Sequence, residues 1–374
     1  MKLTIEPDKL FKVLQIALGA VSRRQTLPIL SNILLSIKGD KLLAKATDLE
    51  IELVGTITLD HPAAEGGEIA VPARKLADIC KSLLSADTMV ELSFKEGSGS
   101  RVTVKAGKSR FTLATLPASE FPSVEESQFG VAECVLPQCQ LKSLIGKTYF
   151  AMAQQDVRYF LNGLLLELNQ GVIRFVATDG HRLATAFLEN GDIKQDKNLQ
   201  VIIPRKGVME LMRLLKDTDD PAHIAIGSNH ICIKTDELVF TSKLIEGKFP
   251  NYNTVIPKNG DKEVLIEVNQ FKQALTRVSI LSNETYRGIR INLGSDLLRL
   301  FTNNPEQEEA EEEFPVGYKH SDLEIGFNVN YFLDICNTVT TDQLKLTFSS
   351  ADGGILVEEV GKNNVCYVVM PMRI

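Results

Sequence analysis

Asp8-Lys9-Leu10-Phe11-Lys12-Val13-Leu14, Cys139-Gln140-Leu141-Lys142-Ser143-Leu144-Ile145 and Asn269-Gln270-Phe271-Lys272-Gln273-Ala274-Leu275 carry one pattern three times. In each, apolar residues recur at helical spacing with a lysine beside them, which predicts a helix with one face for a core and one for something charged. Leu10, Leu141 and Phe271 lie 131 and 130 residues apart in a chain of 374. That period, close to one third of the length, points to a unit present in three copies.

Other landmarks keep the same order. A second helix is introduced at Pro72, Pro204 and Asn328, spaced by 132 and 124 residues. Between the helices a strand ends in Ala46-Thr47-Asp48, Ala177-Thr178-Asp179 and Phe301-Thr302-Asn303, at spacings of 131 and 124. Each third closes on an extended segment with a proline: Phe121-Pro122, Phe249-Pro250 and Met370-Pro371. Short alternating runs fill the rest, such as Ile33–Ile37, Val90–Phe94 and Arg101–Val104, and these read as half-buried strands. The expected fold class is α+β, with three repeated domains at 1–126, 127–256 and 257–374, each of two helices packed on antiparallel sheet.

Composition agrees with several soluble domains. The 44% hydrophobic and 24% charged content is ordinary for globular proteins, and no apolar run nears the roughly 20 residues a membrane span requires. The charged N-terminus is unlike a signal peptide, so a cytoplasmic location is expected. Six cysteines without a Cys-x-x-Cys pair read as reduced thiols, four of them in apolar segments.

The net charge of -7 argues against a nucleic-acid partner when taken alone, but the positions of the 41 lysines and arginines matter more. They gather on or beside five of the six helices: Lys9, Lys12, Arg23 and Arg24; Arg74, Lys75 and Lys81; Lys142 and Lys147; Arg205, Lys206, Arg213 and Lys216; Lys272 and Arg277. The helix around Tyr331 to Thr340 has none. Simple duplication of a domain does not require this bias. A continuous basic lining of that kind meets phosphates and positions a duplex without reading bases.

Catalytic readings are weaker. His181 beside Asp179 has no nucleophile pattern, and five scattered histidines give no metal-ligand spacing. The run Glu306 to Glu313 does not converge on an ion as octahedral oxygen ligation demands, which weakens a nuclease reading. Gly97-Ser98-Gly99-Ser100 lacks the Gly-Lys-Ser/Thr ending of a phosphate loop and reads as a hairpin turn.

Several longer stretches carry a resemblance over the whole chain: Leu27–Leu30, Val71–Lys75, Gln155–Tyr159, Ala177-Thr178-Asp179-Gly180-His181-Arg182-Leu183, Asn303–Glu312 and Tyr367–Arg373. In these the chain resembles the β subunits of bacterial DNA polymerase III, the sliding clamps. The resemblance implies a head-to-tail homodimer whose six domains close a ring around double-stranded DNA, bound without sequence preference. It also implies no catalysis, no cofactor and no metal.

Implied partners are the DNA polymerase III catalytic subunit, the clamp loader, other DNA polymerases and mismatch-repair proteins. Their peptides would enter a pocket formed by Leu161, Thr178, Gly180, His181, Arg182, Leu183, Pro250, Val255, Tyr286, Asn328, Tyr331, Val368, Val369, Met370, Pro371 and Met372. A groove of Leu, Val, Pro and flexible Met suits aromatic and leucine anchors. For DNA the resemblance points to Arg24, Arg74, Gln155, Tyr159, Arg205 and Lys206, with Phe160 where a second tyrosine stands in relatives. For the ring seam it points to Phe111 and Leu113 at one end and Ile280 and Leu281 at the other, and the acidic run 306–313 is a candidate to pair with Lys105–Arg110. Two departures fall at the pocket rim: Thr254 stands where a basic residue is common, and Asp352-Gly353-Gly354 replaces a more apolar stretch. A peptide-binding scaffold that never encircles DNA is the alternative.

Overall fold

The computed structural model describes residues 1–21, 27–85, 88–94, 101–122, 129–190, 198–258, 260–294, 296–349 and 353–373. Six helices appear where the pattern places them: α1 (Pro7–Leu18), α2 (Ala73–Leu83), α3 (Gln138–Gly146), α4 (Arg205–Leu214), α5 (Val268–Ser279) and α6 (Val329–Thr338). None of the described helices is long and apolar enough to cross a membrane. In α1, the proline at the first position removes one of the amides that a helix start leaves unpaired, and Leu10, Val13, Leu14 and Ala17 form the buried stripe. Gly55 on the strand beneath allows that close approach, since a Cβ there would meet the Val13 carbonyl oxygen at 2.8 Å.

The described strands form four antiparallel sheets, and the chain divides into two compact units. The first unit, Met1–Leu141 with Glu210–Leu244, holds a four-stranded sheet ordered Lys2–Ile5, Val90–Phe94, Arg101–Ala106, Ser109–Ala114. Its eight-stranded sheet runs Gly67–Pro72, Asn32–Lys38, Lys41–Thr47, Ile51–Thr58, then Leu238–Lys243, His230–Lys234, Pro221–Gly227, Phe129–Pro137. Pairing of Ile51–Thr58 with Leu238–Lys243, Val54 opposite Val239, makes one sheet from strands of two different thirds.

The second unit, Lys142–Met209 with Ile245–Ile374, repeats the arrangement. Its eight-stranded sheet runs Leu199–Pro204, Gly163–Asn169, Val172–Thr178, Arg182–Glu189, then Val365–Val369, Ile355–Glu359, Gln343–Phe348, Lys262–Glu267. The seam between thirds is the ladder of Arg182–Glu189 with Val365–Val369. A four-stranded sheet follows in the order Glu309–Pro315, Leu297–Asn303, Gly288–Gly294, Leu323–Asn328. Here α5 packs on α6 through Phe271 and Phe332, whose ring centroids stand 5.7 Å apart edge to face. The three-fold sequence period thus coexists with two structural units, because the strands of the middle third complete sheets begun by its neighbours.

The six cysteines are free; burial pushes the thiols of Cys80 and Cys336 up to about 12. The Gly97–Ser100 turn lies outside the described residues, though the strands flanking it, Val90–Phe94 and Arg101–Ala106, pair antiparallel.

Several cations expected on an open basic face are already partnered. Lys9 bonds Asp60 at 2.6 Å, Lys12 and Lys216 share Glu237 at 2.8 Å each, Arg213 pairs with Glu210 and Arg277 with Glu312. Lys147 is mostly buried, 3.3 Å from Glu359. These helix faces are therefore less positive than the residue types alone suggest, because folding brings Asp60, Glu237, Glu312 and Glu359 beside their cations.

Glu359 is wholly buried and accepts from Lys362 at 2.9 Å and from the amide and hydroxyl of Thr340 at 3.2 and 3.1 Å. Burial raises its pKa, but the hydrogen bonds from Lys362 and Thr340 and the charges of Lys147 and Lys362 together outweigh it and hold the carboxyl below its ordinary value. Burial also lowers the Lys147 ammonium despite the attraction of Glu359, so Lys362 and Thr340 do most to keep the carboxylate ionised. A depressed carboxyl pKa contributes stability above the unfolded value of about 4.3 that is lost as pH falls through the folded value. Glu359→Gln is expected to lower unfolding stability at pH 7 by about 2 kcal/mol and to flatten the acid limb of the stability profile. Urea melts of both proteins between pH 3 and 7 check this; parallel profiles would refute it.

Candidate functional site

The turn 178–183 is built by its own side chains. Thr178 Oγ1 donates to the Arg182 carbonyl at 2.6 Å and accepts from the Gly180 amide at 3.1 Å. Asp179 Oδ1 accepts from the amides of His181 and Arg182, both at 2.9 Å. Gly180 has φ of +89°, and a Cβ there would meet the Arg158 guanidinium at 3.0 Å. Asp179 is thus a turn-forming carboxylate with its oxygens committed, which removes the His181–Asp179 dyad as a catalytic arrangement. The first third makes the same turn with Thr47 and Asp48, whose side chains bond Ile51 and its neighbours. Ile51 there occupies the place that Arg182 holds here, so the two turns differ in what they present.

Arg182 is held on several sides. Its Nε donates to Asp179 Oδ2 at 3.2 Å, Nη2 to the Phe150 carbonyl at 2.8 Å, and Nη1 to Asp334 of α6. The guanidinium also lies 4.6 Å from the centre of the Tyr331 ring and 5.4 Å from that of Phe150. Beside it, Arg158 chelates Asp156 through Nε and Nη2 at 3.1 and 2.9 Å, and these hydrogen bonds pull the Asp156 carboxyl down to about 2.

Next to this wall is a groove of about 300 Å³, lined by Arg158, Phe160, Leu161, Thr178, Gly180, Arg182, Leu183, Pro250, Asn251, Tyr252, Val255, Val368 and Met370. Its floor is core: Leu161, Leu165, Val176, Leu183, Phe249, Tyr252 and Val368 pack together with at most 6% exposure. Tyr252 donates its hydroxyl to Glu167 Oε2 at 2.7 Å, and burial together with that carboxylate pushes the phenol up to about 12. The last wall is the C-terminal tail, fixed by Met370 N donating to the His181 carbonyl and Met372 N to the Gly326 carbonyl, each at 2.8 Å.

Of the residues expected at the pocket, Leu161, Thr178, Gly180, Arg182, Leu183, Pro250, Val255, Val368 and Met370 line this groove. Tyr331 stacks on Arg182, and His181 supplies the carbonyl that anchors Met370. Val369 is buried in the sheet, paired with Arg182 and Ile355, and Pro371 follows Met370 in the tail. Asn328 caps α6 through Asn330 N and donates to the Tyr286 carbonyl at 3.3 Å. Tyr286 and Met372 line a separate cavity. Sequence reading missed Arg158, Asn251 and Tyr252 and assigned Phe160 elsewhere; an aromatic two residues past Phe249-Pro250 was the available signal for Tyr252. At the rim, Gly354 is buried against Met370 Sδ and Val368, so a Cβ there would sit 3.0 Å from the sulfur. Thr254 is exposed and donates to the Asn251 carbonyl, whereas Asp352 lies outside the described residues.

The residues expected at DNA are spread over several elements. Arg24 lies outside the described residues. Arg74 is exposed on α2 and donates to the Val21 carbonyl at 3.3 Å. Gln155 is exposed with φ of +56°, and Tyr159 is 58% exposed with its ring edge-on to Phe160. Arg205 opens α4 and donates to the Met152 carbonyl at 3.2 Å, with its pKa lowered first by burial and then by Arg182; Lys206 follows it, half-buried.

At the expected seam, Ser109–Ala114, which carries Phe111 and Leu113, and Glu309–Pro315 are both edge strands, each pairing with one neighbour in its own sheet. Ile280, just past α5, is 73% exposed and Leu281 is half-buried. The acidic run is a strand from Glu309 onward. Arg299 pairs with Glu311 and Glu313, and Arg277 with Glu312. These partners answer the charges of Glu311, Glu312 and Glu313. Among the described residues no group of three or more His, Cys, Asp or Glu stands ready for a metal.

Domain models of the DNA polymerase III beta subunit match residues 1–125 (N-terminal), 135–251 (central) and 253–373 (C-terminal). The beta sliding clamp of Pseudomonas putida is 52% identical over 374 residues, covering all of both chains. The crystal structure of the DNA polymerase III subunit beta from Pseudomonas aeruginosa is 51% identical, with a TM-score of 0.94 over 100% of each chain. A Pseudomonas aeruginosa sliding clamp bound to griselimycin superposes with a TM-score of 0.95 over the same full coverage, also at 51% identity.

Proposed function

Because this chain belongs to the DNA polymerase III β subunit family, the non-catalytic sliding clamps that confer processivity in DNA replication, we propose that its groove holds partner peptides while a dimeric ring encircles duplex DNA. The observation that carries the peptide reading is the groove itself: an apolar floor of Leu161, Leu183 and Val368, walled by an immobilised Arg182 and a flexible methionine, Met370. Such a surface accepts leucine and aromatic anchors and adapts to several sequences. The partners assigned to it are the polymerase III catalytic subunit, the clamp loader, other DNA polymerases and mismatch-repair proteins, all in the cytoplasm. The domains are taken as 1–126, 127–256 and 257–374.

The ring needs a head-to-tail contact between two copies. Two edge strands support it: Ser109–Ala114, which carries Arg110 and follows Lys105 and Lys108, and the acidic Glu309–Pro315. Open edges of this kind are normally paired or covered, and their charges are opposite. Arg24, Arg74, Gln155, Tyr159, Arg205 and Lys206 are assigned to DNA. Topological retention requires only weak phosphate contacts, so partial neutralisation of the helix cations by Asp60, Glu237 and Glu210 is compatible with sliding.

The test is retention on circular DNA. Protein placed on a nicked circle by its loader is expected to stay bound and to be lost when the circle is cut once. Equal retention on circular and linear forms would mean ordinary surface binding and would refute encirclement.

A further inference from the structure

Glu237 closes the turn between the strands His230–Lys234 and Leu238–Lys243, and its main chain is pinned there: its carbonyl accepts from the Thr56 amide at 2.9 Å, beside the pairing of Leu238 with Gly55. Two ammonium groups reach its side chain from different elements. Lys12 of α1 donates to Oε1 and Lys216, two residues past α4, donates to Oε2, each at 2.8 Å. Burial raises the Glu237 pKa, but the bonds from Lys12 and Lys216 outweigh it and hold the carboxyl below its ordinary value. Both lysine side chains stay open to solvent, at 54% and 47% exposure.

The convergence of the two lysines does not depend on the carboxylate alone. Arg213, near the end of α4, donates to the Gln15 and Ile16 carbonyls at 3.1 and 3.2 Å, which ties that end of α4 to the last turn of α1. The Lys216 amide is held in turn by Gln138 Oε1 at 3.2 Å. The lysine backbones therefore stay near one another when the charge between them is removed.

A carboxylate that takes one ammonium on each oxygen offers what a phosphodiester offers: two oxygens on a single centre sharing one negative charge. Exposed ion pairs contribute little to stability, so exchange of one anion for the other costs little. We propose that Glu237 is a built-in competitor for duplex phosphate, occupying the Lys12–Lys216 pair in the free protein, yielding it to a passing phosphate and taking it back when the phosphate leaves. Glu237 thereby weakens the hold on DNA without removing the cations, and favours movement along the duplex over stationary binding. This rests on the reading of the chain as a clamp on duplex DNA.

Binding to a short duplex is measured by fluorescence anisotropy over a salt series for the full-length protein, for Glu237→Gln, for Lys12→Gln with Lys216→Gln, and for the three substitutions together. Glu237→Gln is expected to bind about 10-fold more tightly at low salt and to steepen the log–log salt slope by about 2, one phosphate contact for each released lysine. That gain should vanish when the triple variant is compared with the double lysine variant. The melting temperature of Glu237→Gln should move by less than about 2 °C. Binding no tighter than that of the unaltered protein would overturn the proposal and leave Glu237 as a strut between α1 and its turn. A gain that persists without the two lysines would overturn it as well, as an effect of net charge acting at a distance. Should Glu237→Gln fail to fold, Glu237→Asp, whose shorter side chain withdraws the charge from the ammonium groups, is read by the same slope. Retention of the same proteins on circular DNA before and after one cut is scored separately: equal retention on both forms refutes encirclement, whereas the salt slope bears on Glu237 alone.

Discussion

Ile280→Asp with Leu281→Asp is expected to convert the proposed dimer to monomer at micromolar concentration. Ile280 is 73% exposed immediately after α5 and Leu281 is half-buried, so neither substitution removes a fully buried core side chain. If the two side chains are buried against a second copy, each contributes about 2 kcal/mol to association, and a carboxylate in their place adds a desolvation cost. Losing about 4 kcal/mol weakens association roughly 1000-fold. Sedimentation velocity over a concentration series measures this directly, with a thermal melt to establish that the monomer remains folded. A doubly substituted protein that sediments as the unaltered one does would remove these residues from the seam. The same variant should lose retention on circular DNA while still binding peptide, because neither Ile280 nor Leu281 lines the groove.

Val255→Asp addresses the groove without touching the core. Val255 is 48% exposed and lines the groove beside Pro250 and Tyr252. An apolar anchor seated there would lose its contact and would bury an unpaired carboxylate, together about 3 kcal/mol or a loss of more than about 100-fold in peptide affinity. Stability should change by no more than about 0.5 kcal/mol, since the side chain faces solvent in the free protein. Fluorescence anisotropy with an anchor peptide measures the first quantity and urea denaturation the second. Unchanged affinity would exclude Val255 from the peptide contact, and a large loss of stability would make the affinity result uninformative about contact. In that event Val255→Ser, which adds no charge, decides by the same affinity measurement.

The groove shows where local pattern stops being informative. The turn at Thr178, Asp179 and Gly180 was legible because short polar side chains bonding the next few amides have a local signature, and the first third repeats it at Thr47 and Asp48. The position of Tyr252 had a local signal beside Phe249-Pro250, but its hydroxyl partner was not legible, because Glu167 is 85 residues away. Arg158 went unassigned to the groove for a similar reason: its place beside Gly180 depends on a contact across 22 residues that no spacing encodes. The expected basic lining was overstated because counting lysines and arginines ignores acids such as Asp60 and Glu237 that folding brings beside them.

The amino-acid sequence by itself determined the three-fold repeat, the six helices, the strand alternation and the family. Those features are written in residue spacing of 2 and 3.6 and in long specific stretches, all of which survive without a partner segment. Only the tertiary structure decided that strands of different thirds fuse into two eight-stranded sheets, through Ile51–Thr58 with Leu238–Lys243 and Arg182–Glu189 with Val365–Val369. It alone added Arg158, Phe160, Asn251 and Tyr252 to the groove that the family resemblance implied. The physical reason is that strand pairing is made by backbone amides and carbonyls common to every residue, so the choice of partner across such distances rests on the burial achieved by the whole fold.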